Sequence, residues 1–300
     1  EVNEPNKVGY VVEIDPLNPN STPKKHTALG RFKHENAELV ISKDGKIIVY
    51  MGDDERGEYL YKYVSNESIN EVKDKSTLLS NGNLYVAKFN DNFTGEWLLL
   101  DTQTTGLSSK AEVCIFTRLA ASKVGATTMD RPEWIASNPK KNEVCCCLTN
   151  NKNRGIKTNK GGDKVDVDKV NPRKNNKYGQ IVRWKPRDNN HSSVYFEWDL
   201  FVVAGNPNVH DDNNRGSKNI DKENMFNSPD GLKFDKYGRL WIQTDGNYSN
   251  SGDFKGMGNN QMLIADTNTG KIKRFMVGPK ECEVTGPVSY THLTLPTSYP

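Results

Sequence analysis

Short clusters of carboxylates recur along this chain, each at the end of an apolar run. They are Gly30-Arg-Phe-Lys-His-Glu-Asn-Ala-Glu38, Tyr50-Met-Gly-Asp-Asp-Glu55, Asp130-Arg-Pro-Glu133, Ser228-Pro-Asp230, Gln243-Thr-Asp-Gly246 and Glu281-Cys-Glu283. Carboxylate oxygens are hard donors, and calcium takes about six to eight of them in irregular geometry. Strand ends that converge on one mouth would bring these clusters together around hard cations. A dense anionic set of this kind also suits ferric iron.

The elements that must position them read as strands. Val8 to Asp15 has period-2 alternation, and Ala37 to Ser42 with Lys46 to Met51 flanks the turn Lys43-Asp-Gly45, a strong hairpin signal. Glu58 to Val64 follows with Tyr59, Tyr61 and Tyr63 on one face. Leu84 to Phe89 and Gly95 to Leu100 enclose Asn90-Asp-Asn92, and further strands are expected at 134–136, 143–149, 179–185 and 193–204. Gly231 to Phe234 with Leu240 to Thr244, and Gln261 to Asp266 with Lys271 to Val277, complete the series. One helix is predicted over Leu107 to Ala121, from apolar residues at Val113, Phe116, Leu119 and Ala120. Residues 150–177 and 205–227 read as long polar excursions. Repeated antiparallel units without a βα alternation favour a closed or radial all-β architecture, although no exact repeat is visible in the sequence.

Composition agrees with short strands and many turns. The 300 residues include 24 Gly and 14 Pro, and hydrophobic residues make up only 34%. Lys plus Arg is 41 against 38 Asp plus Glu, a net charge of +3 that gives no reason to invoke nucleic acid or a membrane surface. No run approaches the roughly 20 apolar residues of a membrane span. Cys145, Cys146 and Cys147 lie in one apolar run without zinc-type spacing, so they and Cys114 read as core residues; Cys282, between two glutamates, reads as a packed strand thiol.

Nine blocks, taken in order, resemble the PhoX-type alkaline phosphatases, calcium- and iron-dependent phosphomonoesterases on a β-propeller. They are Tyr10 to Pro16, Thr27 to Glu35, Val49 to Arg56, Asp130 to Trp134, Leu148 to Asn151, Gly179 to Trp184, Ser228 to Leu232, Leu240 to Gly246 and Glu283 to Pro287. The resemblance implies an all-β propeller, six-bladed in a full-length parent, with residues 1–287 forming part of it. It implies Ca2+ and Fe3+ as cofactors, a phosphomonoester as substrate, a monomer, and a periplasmic or extracellular setting in a bacterium. Carried over block by block, the metal ligands would be Glu35, Glu38, Glu133, Asp230 and Glu283, with Asp53, Asp54 and Asp245 as weaker candidates. Glu35 and Glu38 are three apart, so on a regular strand only one of them faces the metal. Arg131 would clamp the phosphate, because a guanidinium meets phosphate oxygens in a fork, and Pro132 fixes the backbone between it and Glu133.

Blander readings stand beside these. Asp54-Glu55-Arg56 also reads as a surface turn with a local ion pair, Asp235 and Asp266 as turn acids, and His34 as a hydrogen-bonded histidine behind the site. Trp134, Trp184, Trp198 and Trp241 read as core. Two other functions fit a calcium-bearing propeller: a binding protein without catalysis, or another hydrolase such as a lactonase. Arg131 separates them, since neither needs a cationic phosphate clamp. The family carries an upstream segment with a Cys and a Glu of the metal site, and a closing C-terminal blade. The expectation is therefore an active parent and an inactive 300-residue piece. Residues 288–300 break the pattern and read as an appended, adapter-derived tail, which leaves His292 out of consideration.

Overall fold

The structure, a computed structural model, describes residues 4–287. The expected tail at 288–300 lies outside the described residues. A small hairpin, β1 (Val11–Glu13) and β2 (Lys24–His26), precedes three larger antiparallel units. The first unit holds β3 (His34–Ile41), β4 (Lys46–Asp53), β5 (Leu60–Ser68), β6 (Gly82–Phe89) and β7 (Thr94–Leu100). The second holds β8 (Pro132–Ser137), β9 (Val144–Leu148), β10 (Gln180–Pro186) and β11 (Tyr195–Val203). The third holds β12 (Pro229–Phe234), β13 (Arg239–Thr244), β14 (Gln261–Asp266) and β15 (Ile272–Val277).

Each unit is a meander whose first strand lies innermost. β8 packs against β3 on one side and β12 on the other, so the three inner strands surround a common axis. This is an all-β, propeller-like fold. The outermost strands of units one and two also pair: Tyr195 lies opposite Glu96 and Glu197 opposite Thr94. That link joins them into one nine-stranded sheet, whereas unit three is a separate four-stranded sheet.

The apolar layers lie between units. Ile48, Tyr50, Leu60, Trp97, Ile135, Cys146, Val182 and Trp184 pack together between units one and two. Ala136, Cys145, Cys147, Ile181, Leu232, Leu240 and Leu263 do so between units two and three. Strand alternation thus sends Cys146 to one layer and its two neighbours to the other. Trp184 and Trp198 are core, whereas Trp134 and Trp241 are only half-buried.

The predicted helix is broken into three short pieces, α1 (Thr102–Thr105), α2 (Lys110–Ile115) and α3 (Thr117–Lys123). The break falls at Phe116, whose backbone leaves the helical region at φ −103°, ψ 44°, and whose ring is exposed. Gly106, in the left-handed region at φ 66°, ends α1, and the Ser109 side chain caps the start of α2. The excursion 150–177 is anchored by Arg154, fully buried, whose Nε donates to Asp130 at 2.7 Å. Asp130 is therefore a buried structural acid and stays away from the mouth.

Candidate metal centre

The inner strands begin alike. Register shifts fall between His34 and Ala37 in β3, between Pro132 and Ile135 in β8, and between Pro229 and Leu232 in β12. A bulge leaves its extra residues out of the ladder and re-aims their side chains. The second residue of each strand sits in the bulge: Glu35, Glu133 and Asp230. The repeat is one of backbone register, which explains why the sequence alone does not display it. In units two and three the acid follows an X-Pro pair. Arg131 and Ser228 both hold the left-handed region, at φ 58° and 50°, a conformation that costs about 1 kcal/mol or more in a non-glycine residue.

The neighbouring strands return to the same mouth and bring a second set of acids. The Asp54 N–H donates to the Lys33 carbonyl at 3.0 Å, and the Asp245 N–H to the Ser228 carbonyl at 3.1 Å. The result is two carboxylate groups. Glu35, Asp54 and Glu133 each bring an oxygen within 4.8 Å of the other two, and Asp230, Asp245 and Glu283 do the same. Each group takes an inner-strand acid, the acid just past the next strand, and a third from beyond that unit: Glu133 from β8 and Glu283 from the loop after β15. The two groups adjoin: burial and the charges of Asp230, Asp54 and Glu35 push the Glu133 carboxyl strongly upward. Burial together with Glu35, Asp245 and Glu283 raises Asp230 to about 7, against the pull of Arg131. Burial and Asp54 raise Glu35 as well.

Arg131 stands between the acids. Its Nε donates to Asp54 at 2.7 Å, and its Nη2 to Asp54 and Glu133, both at 3.0 Å. One guanidinium against six carboxylates leaves the mouth strongly anionic. An all-oxygen set of two three-carboxylate groups fits hard cations such as calcium, which neutralise that repulsion.

The sequence-derived candidates divide. Glu35, Glu133, Asp230 and Glu283 come together at one mouth, joined by the two weaker candidates Asp54 and Asp245. Glu38 stands outside both groups. It accepts from the Ser137 N–H at 2.9 Å, and two residues earlier Asn36 donates to the Ile135 carbonyl and accepts its N–H, at 2.8 and 3.0 Å. These side chains lace β3 to β8, which share no ladder. The bulge does not bring Glu38 round, because it lies past the register shift and faces the neighbouring strand. Asp53 also stands apart, fully buried and gripped by Arg118 at 2.6 and 2.7 Å. As the last residue of β4 it points opposite to Asp54. The Arg118 pairing carries no signal in the sequence.

The blander readings also resolve. Glu55 pairs with Lys33 and Lys160, which outweigh its burial and lower it to about 2, so the loop beside Asp54 is an ion-paired turn. His34 stacks on Phe32 at 3.7 Å and its Nε2 contacts the Gly30 carbonyl at 3.0 Å. Burial lowers it to about 4, so it stays neutral behind the site. Asp235 is a hairpin acid that accepts from the Tyr237 and Arg239 backbones. Cys282 lies in a loop, where Asn259 reaches its sulfur, and does not belong to a strand.

The family description "Alkaline phosphatase PhoX" matches residues 1–295. Among solved structures, the chain is similar to Pseudomonas fluorescens PhoX in complex with vanadate, a transition state analogue. The TM-score is 0.87 and the identity 55%, over 94% of this chain and 51% of that one. The chain thus spans about half the length of that relative. A gluconolactonase from Xanthomonas campestris also matches, at 11% identity and TM-score 0.30 over 86% of this chain and 50% of that one, a level that supports no argument. No curated protein matches.

Proposed function

Because the chain belongs to the PhoX alkaline phosphatase family, we propose that it works as a metal-dependent phosphomonoesterase whose chemistry occurs at the acidic mouth of the inner strands. The observation that carries this reading is the arrangement of two three-carboxylate groups around Arg131. Glu35, Asp54 and Glu133 would hold one set of cations, and Asp230, Asp245 and Glu283 another. Calcium and ferric iron are the cations in this reading. Cations bound there would neutralise phosphate charge and supply or stabilise an oxygen nucleophile.

The chain's own residues have definable tasks. Glu35, Glu133 and Asp230 stand on bulges of the three inner strands, so they would hold cations at positions set by the fold. Arg131 offers a fork of N–H donors to the phosphoryl oxygens. Its backbone is left-handed, at φ 58°, just before Pro132, and its side chain reaches both Asp54 and Glu133. Glu133 is itself buried, which limits the water that competes for its oxygens. Phosphate ester hydrolysis is among the slowest uncatalysed reactions, so an array of fixed charges has a large barrier to lower. A lactonase needs no guanidinium fork, and that reading is not favoured.

A monomer acting in the periplasm or outside the cell completes the proposal. Among the described residues no helix is long and apolar enough to cross a membrane. The test is hydrolysis of an aryl phosphomonoester by the gene product, expressed with whatever sequence flanks residues 1–300. Activity that chelation removes and calcium restores is expected. Full activity after exhaustive chelation, or none in the metal-loaded protein, would reject the reading.

A further inference from the structure

Unit two interrupts the pattern that units one and three share. The Thr149 N–H donates to the Arg131 carbonyl at 3.1 Å, as Asp54 does to Lys33 and Asp245 to Ser228. Positions 54, 149 and 245 are therefore one structural position seen three times, and they carry Asp, Thr and Asp. Their partners, Pro132 opposite Leu148 and Pro229 opposite Thr244, keep the same register. Between the two carboxylate groups lies a place flanked by Glu133 and Asp230 that contributes no acid of its own.

A neutral residue, Thr149, holds the equivalent position instead. Asn150 follows Thr149, and its Nδ2 donates to the Ser228 hydroxyl at 3.2 Å. That hydroxyl donates onward to Asn227 at 3.2 Å, which orients it as an acceptor for Asn150. Ser228 and Arg131 occupy equivalent left-handed positions in adjacent units. The Asn150 carboxamide is thus tethered at one N–H, half-buried, and makes no other hydrogen bond among the described residues.

We propose that this interruption is the seat of the phosphoryl group, with Asn150 as a second donor to its oxygens beside Arg131. The proposal rests on the phosphatase reading above and names the residues that fit the site to that substrate. A third acid at position 149 would complete another three-carboxylate group from Glu133 and Asp230, attract a further cation and repel a phosphate. Thr149 keeps the place uncharged. Asn150 then supplies an N–H that cannot ionise and so recognises phosphate oxygen at any working pH.

Two variants of the gene product, Thr149→Asp and Asn150→Ala, test this. Inorganic phosphate as product inhibitor is the probe, and terbium luminescence counts cation sites independently of turnover. Asn150→Ala should leave terbium stoichiometry and melting temperature unchanged and raise both KM and the phosphate inhibition constant by about tenfold, the loss expected for one hydrogen bond to a charged group. Thr149→Asp should add one terbium site and abolish phosphate inhibition. Thr149 is buried, so if that variant does not fold, Asn150→Ala decides alone. An unchanged inhibition constant in Asn150→Ala overturns the seat and leaves the phosphatase reading intact. An inactive metal-loaded wild type overturns the phosphatase reading itself.

Discussion

Replacing Asp230 by Asn should stabilise the protein without cations and destabilise it with them. Burial and the surrounding carboxylates raise Asp230 to about 7 from its ordinary 3.8. Between those two values the folded protein binds more protons at this site than the unfolded chain. Stability contributed by the protonated form is therefore present at pH 4 and lost as pH rises through 7. A tenfold change in proton affinity is worth about 1.4 kcal/mol, so the rise from 3.8 to about 7 sets an upper limit of about 4 kcal/mol at pH 8. Partial exposure and relaxation of the mouth reduce this, and about 2 kcal/mol is the working figure. In chelator at pH 8, Asp230→Asn should melt roughly 4–8 °C above wild type, and the difference should vanish near pH 4. Calcium reverses the order. Wild type gains about 2.7 kcal/mol at a hundredfold excess over Kd, while the variant lacks a ligand and gains less. Thermal unfolding at pH 4 and pH 8, with chelator and with calcium, reads all four values. A variant that melts below wild type in chelator at pH 8 would show that Asp230 makes favourable contacts there, and the repulsion argument would fail.

Arg131→Ala in the metal-loaded gene product should lower phosphatase activity by roughly 10²-fold or more with metal content nearly unchanged, as expected for loss of a transition-state contact. Wild-type turnover would reject the clamp. Asn36→Ala breaks two bonds between β3 and β8 and should cost about 2–3 kcal/mol in denaturant unfolding, while calcium affinity stays within a few-fold. Glu58 is buried, its Oε2 accepts no hydrogen bond though Arg118 Nε lies 3.6 Å away, and burial raises it to about 8 despite Arg118. Stability should therefore fall between about pH 5 and pH 8, and Glu58→Gln should flatten that slope; an equally steep profile in the variant would assign the slope to other groups.

Much of the architecture was legible because its signals are local. The turns at Lys43-Asp-Gly45 and Asp235-Lys-Tyr-Gly238 and the alternation of β4 and β13 announce hairpins directly. The cysteine triplet obeys strand alternation. Inner-strand acids stood out as members of the carboxylate clusters, although the structure shows each opening its strand rather than ending an apolar run. The choice between Asp53 and Asp54 was not legible, since it depends on where β4 ends, and a shift of one residue exchanges the faces. Glu38 misled for the same reason: the bulge at Glu35 and Asn36 resets the strand's phase. Thr149 and Asn150 lie in one of the resembling blocks, Leu148 to Asn151, but the block alone assigns them no role, because a neutral residue becomes informative only when its equivalents in other units are aligned in space.

The link between β7 and β11 has a mechanical consequence. Units one and two are continuous through a backbone ladder, while unit three shares no ladder with unit two and meets it chiefly through side-chain packing. Glu35, Asp54 and Glu133 therefore sit on or beside one continuous sheet, and Asp230 and Asp245 on another, with Glu283 in the loop that follows it. The spacing within the first set is held by the Asn36 and Glu38 side chains that lace β3 to β8, and the spacing between the sets by the packing of Ala136, Cys145 and Cys147 against Leu232 and Leu240. The mouth thus straddles a seam between two sheets, and its width is set by side-chain volume rather than by a backbone ladder.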